Sequence, residues 1–382
     1  MKIGILQGGG TCPGANDTHR GFIETAWKHG HQVVVIPYGY EGLLTEQDFK
    51  DVTTLEPVRS QGLAGLYRER GCFIGTSRTK PLPIEDDGRI LEENLQLFEE
   101  NRDKIRANLE RNEIDMLAVS GGDDTLGRGL RNLHIHGILD LPGSRKKHVR
   151  TTGTPKTIDN DFEGMELSYG AMSAAARGRR LLDELFQAET CNNKKPMVLE
   201  AMGRGCGWLA AMIAQGDPRA LLLIPEYEIP KEDFVRTAKP LIEEARRKLV
   251  IVVSESYRID GKKTYQSGDP DSYGHNRPGG VRMKIAEWLE KAGISTQQQC
   301  PQYLFRSCRP TRKDADFAYQ LGVTAMEAAL EGTGDGKVSF LPPGRKRGDR
   351  VELMDMADVR GGKTLSAKNY NPSQLRFTGR VE

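Results

Sequence analysis

The chain has 382 residues, enough for a sizeable core and more than one lobe. Charged residues make up 28% and the net charge is only +2, which gives no electrostatic case for nucleic acid or an anionic membrane as the main partner. No apolar run approaches the roughly 18 residues of a membrane span, and six cysteines scattered without paired metal-ligand spacing read as reduced thiols in a cytoplasmic protein.

The opening MKIGILQGGG reads as a strand over 2–6 ending in glycines, not as a signal peptide. A helix is predicted over 15–29, with Phe22, Ile23, Ala26 and Trp27 on one face, then a strand over 32–37. Further apolar runs at 116–119, 197–200, 220–224 and 249–253 predict strands. None alternates with polar residues, so both faces of each should be buried, as in a parallel sheet covered by helices. Helical patterns lie between them at 89–112, 168–189, 231–248, 281–291 and 314–331. This alternation predicts an α/β, doubly wound fold with mainly parallel sheet. A boundary falls between Asp161 and Tyr169, and the stretch from Pro342 (PPGRKRGDR) reads as loop and tail.

In such sheets ligands bind outside the carboxyl ends of the strands, and four motifs fall there. GGGTCPGAN at 8–16 offers glycines whose N–H groups can converge on an anion at a helix start; alone it is equally an ordinary strand–helix turn. GGDDTLG at 121–127 carries Asp123 and Asp124 side by side. A carboxylate is a hard ligand suited to Mg²⁺, although Asp before a helix is also a good cap. GTPKTIDND at 153–161, after a strand at 148–152, is the richest stretch. Lys156 is a compact cation suited to phosphate. Asp159 could take a proton from a substrate hydroxyl, with Asp161 in support. EAMGRGCGW at 200–208 places Arg204 in a turn before a helix over 207–215, where an arginine can stabilise a transferring phosphoryl group.

Taken in order, these motifs, with GTSR at 75–78, LIPE at 223–226 and SES at 254–256, resemble the phosphofructokinase family over roughly residues 1–330. The resemblance implies two doubly wound, Rossmann-like lobes with the site in the cleft, in a homodimer or homotetramer. It assigns residues 1–165 and 306–345 to a phosphoryl-donor lobe, 166–305 to a sugar-phosphate lobe and 346–382 to a C-terminal extension. It implies a magnesium-associated Asp123, and donor contacts from Gly10, Arg78, Gly122, Asp124, Thr125 and Lys156. The sugar phosphate would be met by Thr157, Asp159, Lys195, Met202, Gly203, Glu255, Tyr303 and Arg306, with Asp159 as the base on the sugar 1-hydroxyl. Arg204 and Arg78 would flank the transferring phosphoryl.

Members that use ATP commonly have glycine at the positions of Asp124 and Lys156, and members that use inorganic pyrophosphate carry Asp and Lys. A carboxylate at 124 would repel the α-phosphate of a nucleotide, and a lysine would offset the charge of a small anionic donor. The resemblance therefore implies reversible, Mg²⁺-dependent transfer from pyrophosphate to fructose 6-phosphate, a step of glycolysis and gluconeogenesis. Some positions depart from the family pattern. Thr11 stands where an acidic residue is usual, FRSC at 305–308 replaces QRGG, and Lys195 and Gln297 replace two arginines of the 6-phosphate site, for which Arg309 and Arg312 could compensate. These departures leave an ATP-dependent kinase, or a different acceptor such as sedoheptulose 7-phosphate, as alternatives.

Overall fold

The computed structural model describes residues 1–85, 88–141, 148–191, 195–245, 248–264 and 279–379. In chain order its strands are β1 Lys2–Gln7, β2 Gln32–Val35, β3 Lys50–Asp51, β4 Met116–Gly121, β5 Arg150–Thr157, β6 Tyr169–Gly170, β7 Met197–Ala201, β8 Ala220–Leu223, β9 Val250–Ser254, β10 Arg258–Ile259, β11 Lys262–Lys263, β12 Gln297–Gln299, β13 Lys337–Phe340, β14 Glu352–Asp355, β15 Tyr370–Asn371 and β16 Arg376–Phe377. The chain divides into two compact units. Unit 1 comprises residues 1–157, 162–170 and 309–361; unit 2 comprises 158–161, 171–308 and 362–382.

Unit 1 is built on one sheet in the order β14-β13-β5-β4-β1-β2-β3, with β6 paired to β5. Strands β13, β5, β4, β1 and β2 run parallel, and β14 and β3 are antiparallel edges. Side chains alternate across a strand, and here both faces are apolar. Leu6, Val34, Leu117 and Val119 enter one core, and Ile3, Ile5, Val35, Met116 and Ala118 the other. That two-sided burial is why these strands read as unbroken hydrophobic runs. The helix Ala15–Lys28 buries Phe22, Ile23 and Ala26 as its spacing predicts, but Trp27 is 38% exposed and lies off the apolar face.

Unit 2 has a wholly parallel sheet in the order β12-β7-β9-β8. Helices Trp208–Ala214, Lys231–Glu244 and Val281–Lys291 connect its strands, and Ala171–Cys191 leads into β7. The helix expected over 231–248 ends earlier, and residues 246–247 lie outside the described set. The pattern at 89–112 is helical only over Leu95–Arg111, preceded by a short 3₁₀ turn at Glu92–Asn94. Leu91 and Leu95 mimic an apolar face but are exposed. The stretch after Pro342 is more than loop and tail, because β14 extends the first sheet and β15 and β16 form a hairpin. Among the described residues no helix is long and apolar enough to cross a membrane.

Candidate active site

In unit 1 the order β5-β4-β1 makes the loops that follow these strands neighbours. The chain leaves β1 for β2 on one side, and β4 lies on the other, so β1/β4 is a point where strand order reverses and a crevice opens. Gln7 pairs with Ser120, and Ser120 with Thr154, so the next residues of all three strands emerge together. This register brings together residues 8–10, 121–124 and 155–157. The strand β5 runs on through Thr157, so residues 153–157 are strand and only 158–161 form the turn; the expected strand end at Thr152 is corrected accordingly.

Lys156 is 3% exposed, and its Nζ donates to the Gly10 carbonyl at 2.7 Å. The approach requires glycine, since a Cβ on Gly9 would stand 2.8 Å from that Nζ. A buried ammonium is expensive to desolvate, so a lysine held there marks a site that needs positive charge. The Gly8 and Gly9 N–H groups do not converge on an open anion site: they donate to Ser120 and Ser77 carbonyls at 3.0 and 2.7 Å. The first turn of the helix Ala15–Lys28 is buried too. Asn16 and Asp17 side chains there accept from Phe73 and Arg68 N–H groups. The GTSR loop is fastened by these bonds and by Thr76 Oγ1, which donates to the Gly9 carbonyl at 2.6 Å, and this carries the half-buried Arg78 to the same loop cluster.

Asp123 and Asp124 are half-buried at the end of β4, where a π-helical turn, Asp124–Leu130, begins. Such turns are rare and frequent at functional sites. The Gly122 carbonyl accepts from both the Thr125 and the Leu126 N–H groups. Thr125 is fully buried, its side chain wedged between Gly8 and Gly121, so it packs the turn and does not line its surface. Arg128 was not among the sequence candidates, yet its Nη1 lies 3.4 Å from Asp124 Oδ1. The i,i+4 spacing was the available signal. Thr157 is buried, and its carbonyl accepts from Ser168 Oγ at 3.0 Å.

In unit 2, β7 and β9 are adjacent and parallel, so MGRGCG and SES emerge side by side. Glu255 is buried, and its Oε1 accepts from the Gly203 and Arg204 N–H groups at 3.1 and 3.0 Å. Ser254 Oγ donates to the Cys206 carbonyl at 3.1 Å, and Ser256 Oγ to that of Arg204. Arg204 takes a left-handed conformation (φ 50°), a cost tolerated where surrounding bonds over-determine it. Met202 is half-buried beside it. Asn160 is left-handed as well (φ 53°), as asparagine tolerates, and it turns the chain between buried Asp159 and half-buried Asp161. Cys206 Sγ donates to the Asp159 carbonyl at 3.4 Å, and burial pushes its thiol far above the usual range.

Burial raises the Glu255 carboxyl to about 7, with the Asp159 charge as the next cause; the two N–H groups and Arg306 oppose the rise. Arg306 therefore joins this cluster. Tyr303, on the same short helix, is 67% exposed. Lys195 is half-buried before the start of β7, whereas Met202 follows its end, about 20 Å away at about 3.3 Å per strand residue. Gln297 pairs with Met197 at that same amino end. Arg309 pairs with Glu69 at 2.9 Å and donates to the Arg68 carbonyl, and Arg312 lies exposed beside Asp316.

Glu255 gives a pH prediction. A carboxyl raised from 4.5 to about 7 on folding contributes stability below pH 4.5, and that contribution is lost as pH rises through about 7. Glu255→Gln keeps the Oε1 acceptor but cannot ionise. Its Tm relative to the native chain should rise steadily between about pH 4.5 and 7. A pH-independent difference in thermal melts would show that Glu255 titrates normally.

A doubly wound sheet with a buried lysine and adjacent carboxylates at one switch point marks the class of α/β protein whose loops suit phosphorylated small molecules. A model of the family "Phosphofructokinase" matches residues 2–329. The chain is 31% identical over 350 residues to the pyrophosphate–fructose 6-phosphate 1-phosphotransferase of Thermoproteus tenax, over 90% of this chain and 92% of that protein. It is 26% identical over 373 residues to the ATP-dependent 6-phosphofructokinase 3 of Bacteroides thetaiotaomicron, over 97% and 96%. The crystal structure of the pyrophosphate-dependent phosphofructokinase from Marinobacter aquaeolei superposes with a TM-score of 0.78 at 21% identity, over 99% of this chain and 88% of that one. The chain belongs to the phosphofructokinase family of phosphotransferases, and it has that fold.

Proposed function

We propose that this enzyme transfers one phosphoryl group from inorganic pyrophosphate to the 1-hydroxyl of fructose 6-phosphate, giving fructose 1,6-bisphosphate. The observation that carries the reading is Lys156, buried at the end of β5 with its ammonium on the Gly10 carbonyl, beside a loop that carries Asp124. Lys156 and Arg78 balance the charge of a compact donor, and Asp124 disfavours a third phosphate. Asp159 accepts the proton of the 1-hydroxyl as it attacks. Glu255 and the Gly203 backbone orient the sugar, and Arg204 and Arg306 supply positive charge to phosphoryl groups. Among the described residues no three His, Cys, Asp or Glu side chains could cage a metal. Mg²⁺ is usually held by one or two carboxylates with substrate phosphates and water, and the half-buried Asp123 at the end of β4 offers such a carboxylate. Asp123 would hold it, and it would neutralise charge on the donor. The reaction exchanges one phosphate link for another, which supports reversibility. Lys195 would serve a sugar phosphate from another copy of the chain, in keeping with a homo-oligomer.

A second reading, ATP as donor, has one observation in its favour: Arg128 neutralises part of the Asp124 charge. Initial rates with Mg²⁺ and fructose 6-phosphate, comparing pyrophosphate with ATP, decide between them. Turnover with ATP alone would overturn the proposal. Silence with both donors, and turnover with sedoheptulose 7-phosphate, would move the acceptor. Asp124→Gly should shift the ratio of kcat/KM values toward ATP, by about 10-fold if one charge repulsion of about 1.4 kcal/mol is lost. An unchanged ratio would remove Asp124 as the donor filter.

A further inference from the structure

The acidic turn after β4 is packed by a stretch of chain beyond the family match, which ends at residue 329. This stretch is fixed in place. The Glu163 N–H donates to the Arg360 carbonyl at 2.9 Å, and Gly361 forms an antiparallel bridge with Phe162. Two glycines admit it to the turn. A Cβ on Gly127 would stand 2.5 Å from the Val359 carbonyl oxygen. A Cβ on Gly361 would stand 2.6 Å from Asp123 Oδ2 and 3.0 Å from its Cγ. Gly361 is not left-handed, so an alanine there meets no backbone barrier; space alone demands glycine. The two residues that follow turn to the second acidic loop, where the Gly362 and Lys363 N–H groups donate to the Asp161 carbonyl at 2.8 and 2.9 Å. Trp208 Nε1 donates to the Lys363 carbonyl at 3.1 Å, and the Lys363 ammonium lies 4.4 Å from the Trp208 ring centre.

We propose that Gly361, held in place by its bridge to Phe162, sets the position of the Asp123 carboxylate and so the binding of metal-complexed donor. The inference rests on the reading of Asp123 as the magnesium-associated residue. It assigns a positioning role to backbone, not to a side chain. The backbone acts as a wall, and any side chain at 361 displaces the carboxylate.

The test is titration calorimetry of pyrophosphate into the full chain at a series of Mg²⁺ concentrations, without acceptor, for Gly361→Ala and Gly127→Ala. Gly361→Ala presses on the carboxylate directly; Gly127→Ala displaces the same segment at Val359. Both should raise the Mg²⁺ concentration for half-maximal binding by about 10-fold, the low end for changes to groups that orient a metal ligand. Fructose 6-phosphate binding should stay close to native in both, and Tm should stay close to native in Gly361→Ala, whose clash is with a side-chain carboxylate, while Gly127→Ala, which meets backbone, loses some stability. Native Mg²⁺ dependence in both variants would overturn the proposal. So would equal losses of donor and sugar binding with a fall in Tm, which mark general damage. If the native chain binds Mg–ATP and not Mg–pyrophosphate, the donor reading falls by itself, and the same comparison made with Mg–ATP still decides the role of Gly361.

Discussion

Asp159→Asn is expected to lower kcat by about 10²–10⁴-fold, the usual worth of a positioned general base, with little change in the KM for the acceptor. Asparagine has nearly the same shape, so the buried turn through Asn160 should survive and Tm should stay close to native. A second readout follows from charge. The Asp159 carboxylate helps to hold the Glu255 carboxyl at about 7, so removing it should move the Glu255 transition to lower pH. Stopped-time assays with single-turnover rates, together with thermal melts across pH, measure both. A near-native kcat would end the base assignment. An unmoved Glu255 transition would mean that the two carboxylates do not interact in solution.

Lys156→Met should lower kcat/KM for pyrophosphate by about 10- to 100-fold, the equivalent of about 1.5–3 kcal/mol for hydrogen bonds to a charged group. The side chain is buried, so methionine fills much the same space, and it removes the cost of an ammonium taken out of water. Stability should therefore hold or rise while activity falls. That opposition separates a functional lysine from a structural one, because loss of a structural lysine would lower Tm and leave donor kinetics intact. Steady-state kinetics with pyrophosphate and one melt per variant suffice to tell them apart.

Much of the fold was legible because its signals are local. Ile3, Ile5 and Leu6, or Met116 to Val119, sit in unbroken apolar runs only because both sheet faces are covered, and glycine-rich turns mark where such strands stop. The polar residues worth singling out, from Lys156 and Asp159 to Glu255, follow from that rule, since open α/β sheets present their loops at carboxyl ends.

What local pattern cannot carry is which loops become neighbours. Chain order is β1, β2, β4, β5, but spatial order is β5-β4-β1-β2, and only that rearrangement sets Gly10 against Lys156. Lys195 and Met202 lie seven positions apart in one motif-bearing stretch, yet an extended strand holds them at opposite ends. Trp27 continues the apolar spacing of its helix but falls outside the packed stripe. The contact of Gly361 with Asp123 joins residues far apart in the chain through the pairing of Phe162 with Gly361. The sequence by itself determined the strands, the turns and the chemical inventory, because burial and turn chemistry act over a few residues. The tertiary structure alone decided the register and proximity of that inventory, because those depend on sheet order and on contacts that no short-range pattern encodes.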